Sequence, residues 1–272
     1  HGTWEVAIDA ANGKVLGLRN LSRYAVDGSG QTYLPNACVA LRNATLTDGG
    51  DADASVPAGA YSTVTLSQLN DPVAGQYVLT GPYVNIQEIA GEAPVVPVPT
   101  SPTPGFIYTR SPEGFEPVLI YYHLDRTERY IQSLGFNNIM NRSVRVDAHG
   151  LNNADNSHYV GSPPGQGYIA FGDGGVDDGE DGDVVVHEYG HAIMHNLYGG
   201  YFPTSDCPDS HFIERASGNT CGWTEGWANF YAITVLNDPI FKWGCQPECT
   251  PGSRDLENRT GGNEPWDTGP AT

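Results

Sequence analysis

Hydrophobic and polar residues alternate over residues 3–9, which puts Trp4, Val6 and Ile8 on one face of a predicted strand. Asn12-Gly13 is a strong hairpin turn, and residues 15–18 supply the returning strand. The same reading predicts strands at 38–41, 61–66, 76–79 and 83–89, with a Gly-bearing loop at 48–53. Residues 93–105 hold five prolines and read as an extended, semi-rigid connector. Beyond it the period lengthens to that of helices. Residues 117–134 form a predicted helix, with Pro117 in its first turn and Gly135 as its stop. Residues 150–182 are rich in Gly, Asn and Asp and read mostly as loop, apart from a short strand at 168–171. A second helix is predicted from Asp183, its N-cap, to about Tyr198, ahead of Gly199-Gly200. A third runs over about 224–236 with Pro239 just beyond, and the tail from Cys245 is polar and turn-rich. The pattern is α+β: a β-rich region over residues 1–104, then a helix-bearing region over 105–272.

Composition narrows the functional classes. Asp and Glu outnumber Lys and Arg 32 to 13, a formal charge of −19. Such a field repels nucleic acid and anionic lipid, which need clustered positive charge. No apolar run is long enough to span a bilayer. Partners are therefore expected among proteins and peptides, with neither nucleic acid nor membrane insertion. The charge suits solubility in a salty exterior, and a secreted, extracellular location is expected. The chain starts at His1 with no signal-peptide pattern ahead of it, as in a processed chain or a fragment. Its cysteines are Cys38, Cys207, Cys221, Cys245 and Cys249, and no Cys-x-x-Cys occurs. That spacing favours disulfides over a thiolate zinc site. Proximity suggests Cys207–Cys221 and Cys245–Cys249, which leaves Cys38 over.

The candidate chemistry lies on the second predicted helix. His187 and His191 are one turn apart, so both imidazoles leave the same face and can reach one ion, with Glu188 beside them. In a chain of this composition the pattern arises by chance roughly 0.01 times, so composition does not explain it. Val184, Val185 and Val186 before it and Ala192-Ile193 after it predict a buried helix, where two unsatisfied histidines would be costly and a metal resolves the cost. A catalytic zinc site takes three protein ligands and keeps one position open. Position 197 is Leu, so no third histidine follows six residues after His191; His195 lies a further turn along the axis, where packing is its predicted role. Glu225, in Thr224-Glu225-Gly226-Trp227-Ala228-Asn229, is the candidate third ligand on the third helix. Asn229, one turn on, can accept the remaining N–H of a ligand histidine.

The motif His187-Glu188-x-x-His191 with a downstream Glu-Gly-Trp resembles the gluzincin metallopeptidases of the thermolysin and fungalysin type. The nearer likeness is to fungalysin, through Asp181-Gly182-Asp183, the motif itself, Tyr198-Gly199-Gly200 and Thr224-Glu225-Gly226-Trp227-Ala228. The stretch from Tyr121-Tyr122-His123 to Gly135-Phe136 resembles that family's helix ahead of the active site, and residues 4–10 with Gly13-Lys14-Val15-Leu16 resemble the last strands of its inhibitory propeptide. The resemblance implies a zincin-like domain over 105–272, zinc held by His187, His191 and Glu225, Glu188 as general base, and hydrolysis of internal peptide bonds. Asn229 stands where the family usually carries Asp. The family also places a helical lobe after its glutamate ligand, with a histidine for the oxyanion, whereas no histidine follows His211 here. Tyr198, Tyr201 and His211 are the groups at hand for that task, and a separate C-terminal fragment or self-association is an expected partnership.

Ahead of the motif, Asp173, Asp177, Asp178, Glu180, Asp181 and Asp183 crowd together. Two readings stand for them: a loose Ca2+ site, since calcium takes about 6–8 oxygens, or a solvated acidic loop complementing a helix N-terminus. The leading expectation is a secreted Zn2+-dependent endopeptidase. The alternative is a non-catalytic or truncated relative acting as a structural or self-assembling extracellular protein.

Overall fold

The computed structural model describes residues 4–20, 25–43, 45–161, 167–201 and 219–238. Strands β1 (Trp4–Ile8) and β2 (Val15–Asn20) form the expected antiparallel hairpin, with Val6 opposite Leu18. Its apolar side chains Val6, Ile8, Leu16 and Leu18 are exposed. Strand β3 (Val26–Thr32) has no sequence signal, because Gly28 and Gly30 interrupt its apolar alternation. The glycines serve packing instead: a Cβ on Gly30 would lie 2.7 Å from Val118 Cγ1, so its absence lets a helix settle on this strand. The stretch 38–41, expected as a strand, belongs to a short helix, α1 (Ala37–Leu41). Asn36 decides the matter by capping it, its side chain accepting from Val39 N at 3.0 Å.

Strand β4 (Ser62–Leu69) pairs antiparallel with β3. Strands β5 (Tyr77–Val78) and β6 (Val84–Ile86) follow near their expected places. The proline run is extended, as expected, and it is stitched down at two points. Strand β7 (Thr100–Ser101) pairs with β5, and β8 (Gly105–Phe106) pairs parallel with β3. Helix α2 (Phe115–Ser133) then runs between the two larger sheets, burying Phe115, Val118, Leu119, Ile120, Tyr121 and Leu124. Pro117 falls in its first turn, where a missing N–H costs nothing.

The second large sheet has the order β10-β11-β9-β6, with β9 (Val144–Gly150), β10 (Ser157–Val160) and β11 (Tyr168–Gly172). Strand β6 from before the proline run thus pairs parallel with β9 from after it. Strands β9 and β10 were not expected, since Asp147, His149, Ser157 and His158 break their apolar alternation. Helices α3 (Gly182–Leu197) and α4 (Asn219–Leu236) complete the described fold. The N-cap of α3 is Asp181, accepting from Asp183 N at 3.0 Å, and not Asp183 as expected. No helix among the described residues is long and apolar enough to cross a membrane. Cys207, Cys245, Cys249 and His211 lie outside the described residues, so neither expected disulfide falls wholly within them.

The acidic stretch before α3 is folded inward. Asp177, Asp178, Glu180, Asp181 and Asp183 are all buried, which overturns the solvated reading. Most have protein partners: Glu180 pairs with Arg110, Asp178 accepts from Ser157 Oγ at 2.7 Å, and Asn36 Nδ2 donates to both Asp181 and Asp183. Asp177 Oδ1 and Glu116 Oε2 are buried and find no hydrogen-bond partner among the described residues. Burial first, then Asp51, Glu180 and Asp173, push Asp177 from 3.8 up to about 9, against the pull of Arg110. Burial first, and Glu180 next, push Glu116 well above its ordinary value.

The sign of the consequence follows from linkage. The folded chain holds the Asp177 proton to about pH 9, whereas an unfolded chain gives it up near its ordinary 3.8. The stability tied to that proton is therefore complete below the ordinary value and is lost as pH rises through 9. Urea unfolding is expected to show falling stability between pH 5 and pH 9. Asp177→Asn is expected to flatten that slope and to add about 1–3 kcal/mol at pH 9. An unchanged slope in the variant would remove Asp177 as its source.

Candidate metal centre

Two helices build the centre. His187 and His191 leave one face of α3 a turn apart, with their rings nearly perpendicular at 87° and their Nε2 atoms 3.0 Å apart. Helix α4 packs across that face and brings in Glu225, whose Oε2 lies 3.1 Å from His187 Nε2 and 3.4 Å from His191 Nε2. One turn further along α4, Asn229 Oδ1 is 2.8 Å from His187 Nδ1. An amide oxygen only accepts, so His187 Nδ1 carries the hydrogen and its Nε2 turns a lone pair toward the other two groups. Three atoms able to ligate a metal thus converge, all within 4.8 Å of one another.

The electrostatics favour positive charge where they meet. Burial by itself lowers the His187 imidazole, but the Glu225 carboxylate, the Glu188 charge and the Asn229 bond outweigh it and raise it. Burial would raise Glu225, but the pull of the His187 and His191 imidazoles against its carboxylate outweighs burial and holds it far below the usual carboxylate range. Two imidazole nitrogens and one carboxylate oxygen fit the donor set of zinc, with the fourth position left for water or substrate. Glu188 is buried beside His187, close enough for its charge to act on that ring.

The sequence-selected residues His187, His191, Glu225 and Asn229 are therefore brought together, with Glu188 adjacent. His195 is directed elsewhere: its Nδ1 meets Tyr159 OH on β10 at 3.0 Å, and its ring packs over Gly161. Tyr198 and Tyr201 stand exposed just past α3. Among the described residues the acidic stretch provides no second group of convergent ligand atoms.

Supports for the centre escaped sequence reading. Tyr189 OH donates to the fully buried Glu128 Oε2 at 2.8 Å and fastens α3 to α2. Trp227 Nε1 donates to the carbonyl of Gly190 at 3.0 Å and fastens α4 to α3. The indole gave one signal, since a tryptophan N–H packed at an interface requires an acceptor. Nothing in the sequence shows that a helix carbonyl supplies it.

Residues 148–272 match the Mycolysin C-terminal domain family. The Mycolysin match spans somewhat under half of the 272 residues and takes in α3, α4 and every residue of the centre. At a coarse level it makes the chain similar to peptidases of the fungalysin and thermolysin type. None of the curated proteins matches the chain.

Proposed function

We propose that this chain is a zinc-dependent endopeptidase acting outside the cell. The observation that carries the reading is the convergence of His187 Nε2, His191 Nε2 and Glu225 Oε2 inside the segment similar to a peptidase family. Bound zinc supplies an activated water, with its pKa lowered to about 7, and polarises the scissile carbonyl. His187 and His191 present their Nε2 atoms to it, and Glu225 offsets its charge. Asn229 keeps His187 in the tautomer that ligation needs, by accepting from Nδ1. Glu188 takes the proton of the attacking water and passes it to the leaving amine, the ordinary task of a general base at such a centre.

Stripping the metal with a chelator is expected to abolish cleavage of casein and of an internally quenched peptide. One equivalent of zinc is expected to restore it. Cleavage that persists after metal analysis shows the zinc gone would overturn the reading.

A further inference from the structure

The two ligand-bearing helices come close together at Gly190 and Ala228. A Cβ on Gly190 would stand 3.0 Å from Ala228 Cα and 3.4 Å from its Cβ. A meeting of two small residues fixes the distance between helices but leaves each free to slide or rotate against the other. Sliding by one residue displaces a side chain by about 1.5 Å. A metal site tolerates only about 0.2 Å in its ligand distances. Something directional must therefore hold α4 in register if Glu225 is to meet both histidines.

We infer that Trp227 is the positioning residue that sets this register, through its indole N–H bond to the Gly190 carbonyl, and that it governs zinc affinity by aiming Glu225. The bond is a directional link at the crossing itself, whereas the other one between the two helices, from His187 Nδ1 to Asn229 Oδ1, ends on a flexible amide side chain and not on backbone. The indole bond joins the residue beside Ala228 to the residue between Glu188 and His191, and measures 3.0 Å. Trp227 lies two residues after Glu225 and two before Asn229, so fixing its rotation fixes both. Its own orientation is held by near-parallel stacking on Tyr231, with ring centroids 5.9 Å apart and planes 23° apart. The accepting carbonyl keeps a second lone pair for its place in the helix ladder, so α3 gives up nothing to make the bond.

The inference rests on the zinc reading above, and the test separates the two. Zinc affinity is measured by competition with a chelator of known affinity for the parent chain, Trp227→Phe, Glu225→Gln and the double variant. Thermal unfolding of the metal-free proteins runs alongside. Trp227→Phe keeps an aromatic ring on Tyr231 and deletes the N–H. It is expected to weaken zinc binding about 10-fold. In the Glu225→Gln background it is expected to cost less than about 2-fold, because a residue acting through Glu225 has nothing left to aim. A parent chain that binds no zinc would overturn the zinc reading and this inference with it. With zinc bound by the parent, parent-like affinity in Trp227→Phe, or losses that simply multiply in the double variant, would overturn the inference alone. If Trp227→Phe does not fold, Trp227→Tyr replaces it, since it also keeps an aromatic ring on Tyr231 and lacks the indole N–H. The same loss and the same coupling to Glu225→Gln are expected, and parent-like affinity would overturn the inference.

Discussion

Replacing Glu188 by Gln is expected to lower kcat for peptide hydrolysis by about 10²–10⁴-fold, with KM and bound zinc close to those of the parent chain. Gln keeps the length and shape of the side chain and can still hydrogen-bond to a water molecule. It cannot accept a proton at neutral pH, so it removes the general base and little else. The side chain is buried, so a polar isostere is tolerated better there than an apolar one. His187, His191 and Glu225 remain, so the proposed ligand set is intact. Steady-state cleavage of an internally quenched peptide, with metal analysis of the same sample, reads both halves of the expectation. A variant as active as the parent would remove Glu188 from the mechanism. A variant that binds no zinc would move it from proton transfer to support of the ligands.

Much of this centre was legible because its geometry is local. Two histidines four residues apart share a helix face whatever the rest of the fold does. Glu225 and Asn229 have the same spacing on α4, so finding one of them places the other. Their meeting with α3 is a tertiary fact, and the residues that arrange it carry no periodic signature. Gly190 is informative only by lacking a Cβ, and Trp227 by where its N–H points. In the fold, the hairpin and the three long helices were readable from turn residues and the helical period. Strands β3, β9 and β10 were not, because tertiary packing covers their glycines and polar groups. His149 on β9, for example, is buried against Asp173, with Nδ1 and Oδ1 3.1 Å apart. The short helix α1 went the other way, its five residues being too few for either period to decide, and a cap one residue upstream set the outcome.

The acidic stretch marks the farthest distance between composition and structure, and Arg110 is the reason. Its fully buried guanidinium donates from Nε and Nη2 to both oxygens of Glu180, at 3.0 and 2.7 Å. It also reaches Asp48 Oδ1 at 2.6 Å, Ser55 Oγ at 2.7 Å and the Asp48 carbonyl. Glu180 ends the 3₁₀ turn that leads directly into Asp181, the cap of α3. One side chain therefore ties the loop around Asp48 to the start of the helix that carries His187. Arg110→Met is expected to cost about 3–5 kcal/mol in urea unfolding at pH 7, because it leaves buried carboxylates without their cation. Burial already pushes Glu180 up to about 7 in spite of Arg110. Without the guanidinium that carboxyl should bind a proton over a still wider range, so the cost should shrink as pH falls toward 5. Adding Glu180→Gln to Arg110→Met should recover part of the loss at pH 7 and little at pH 5, where the acid is already neutral. A cost below about 1 kcal/mol at pH 7 would mean that the clamp adds no more than an exposed ion pair does. A full cost that ignores pH would place the damage in lost packing instead of in charge.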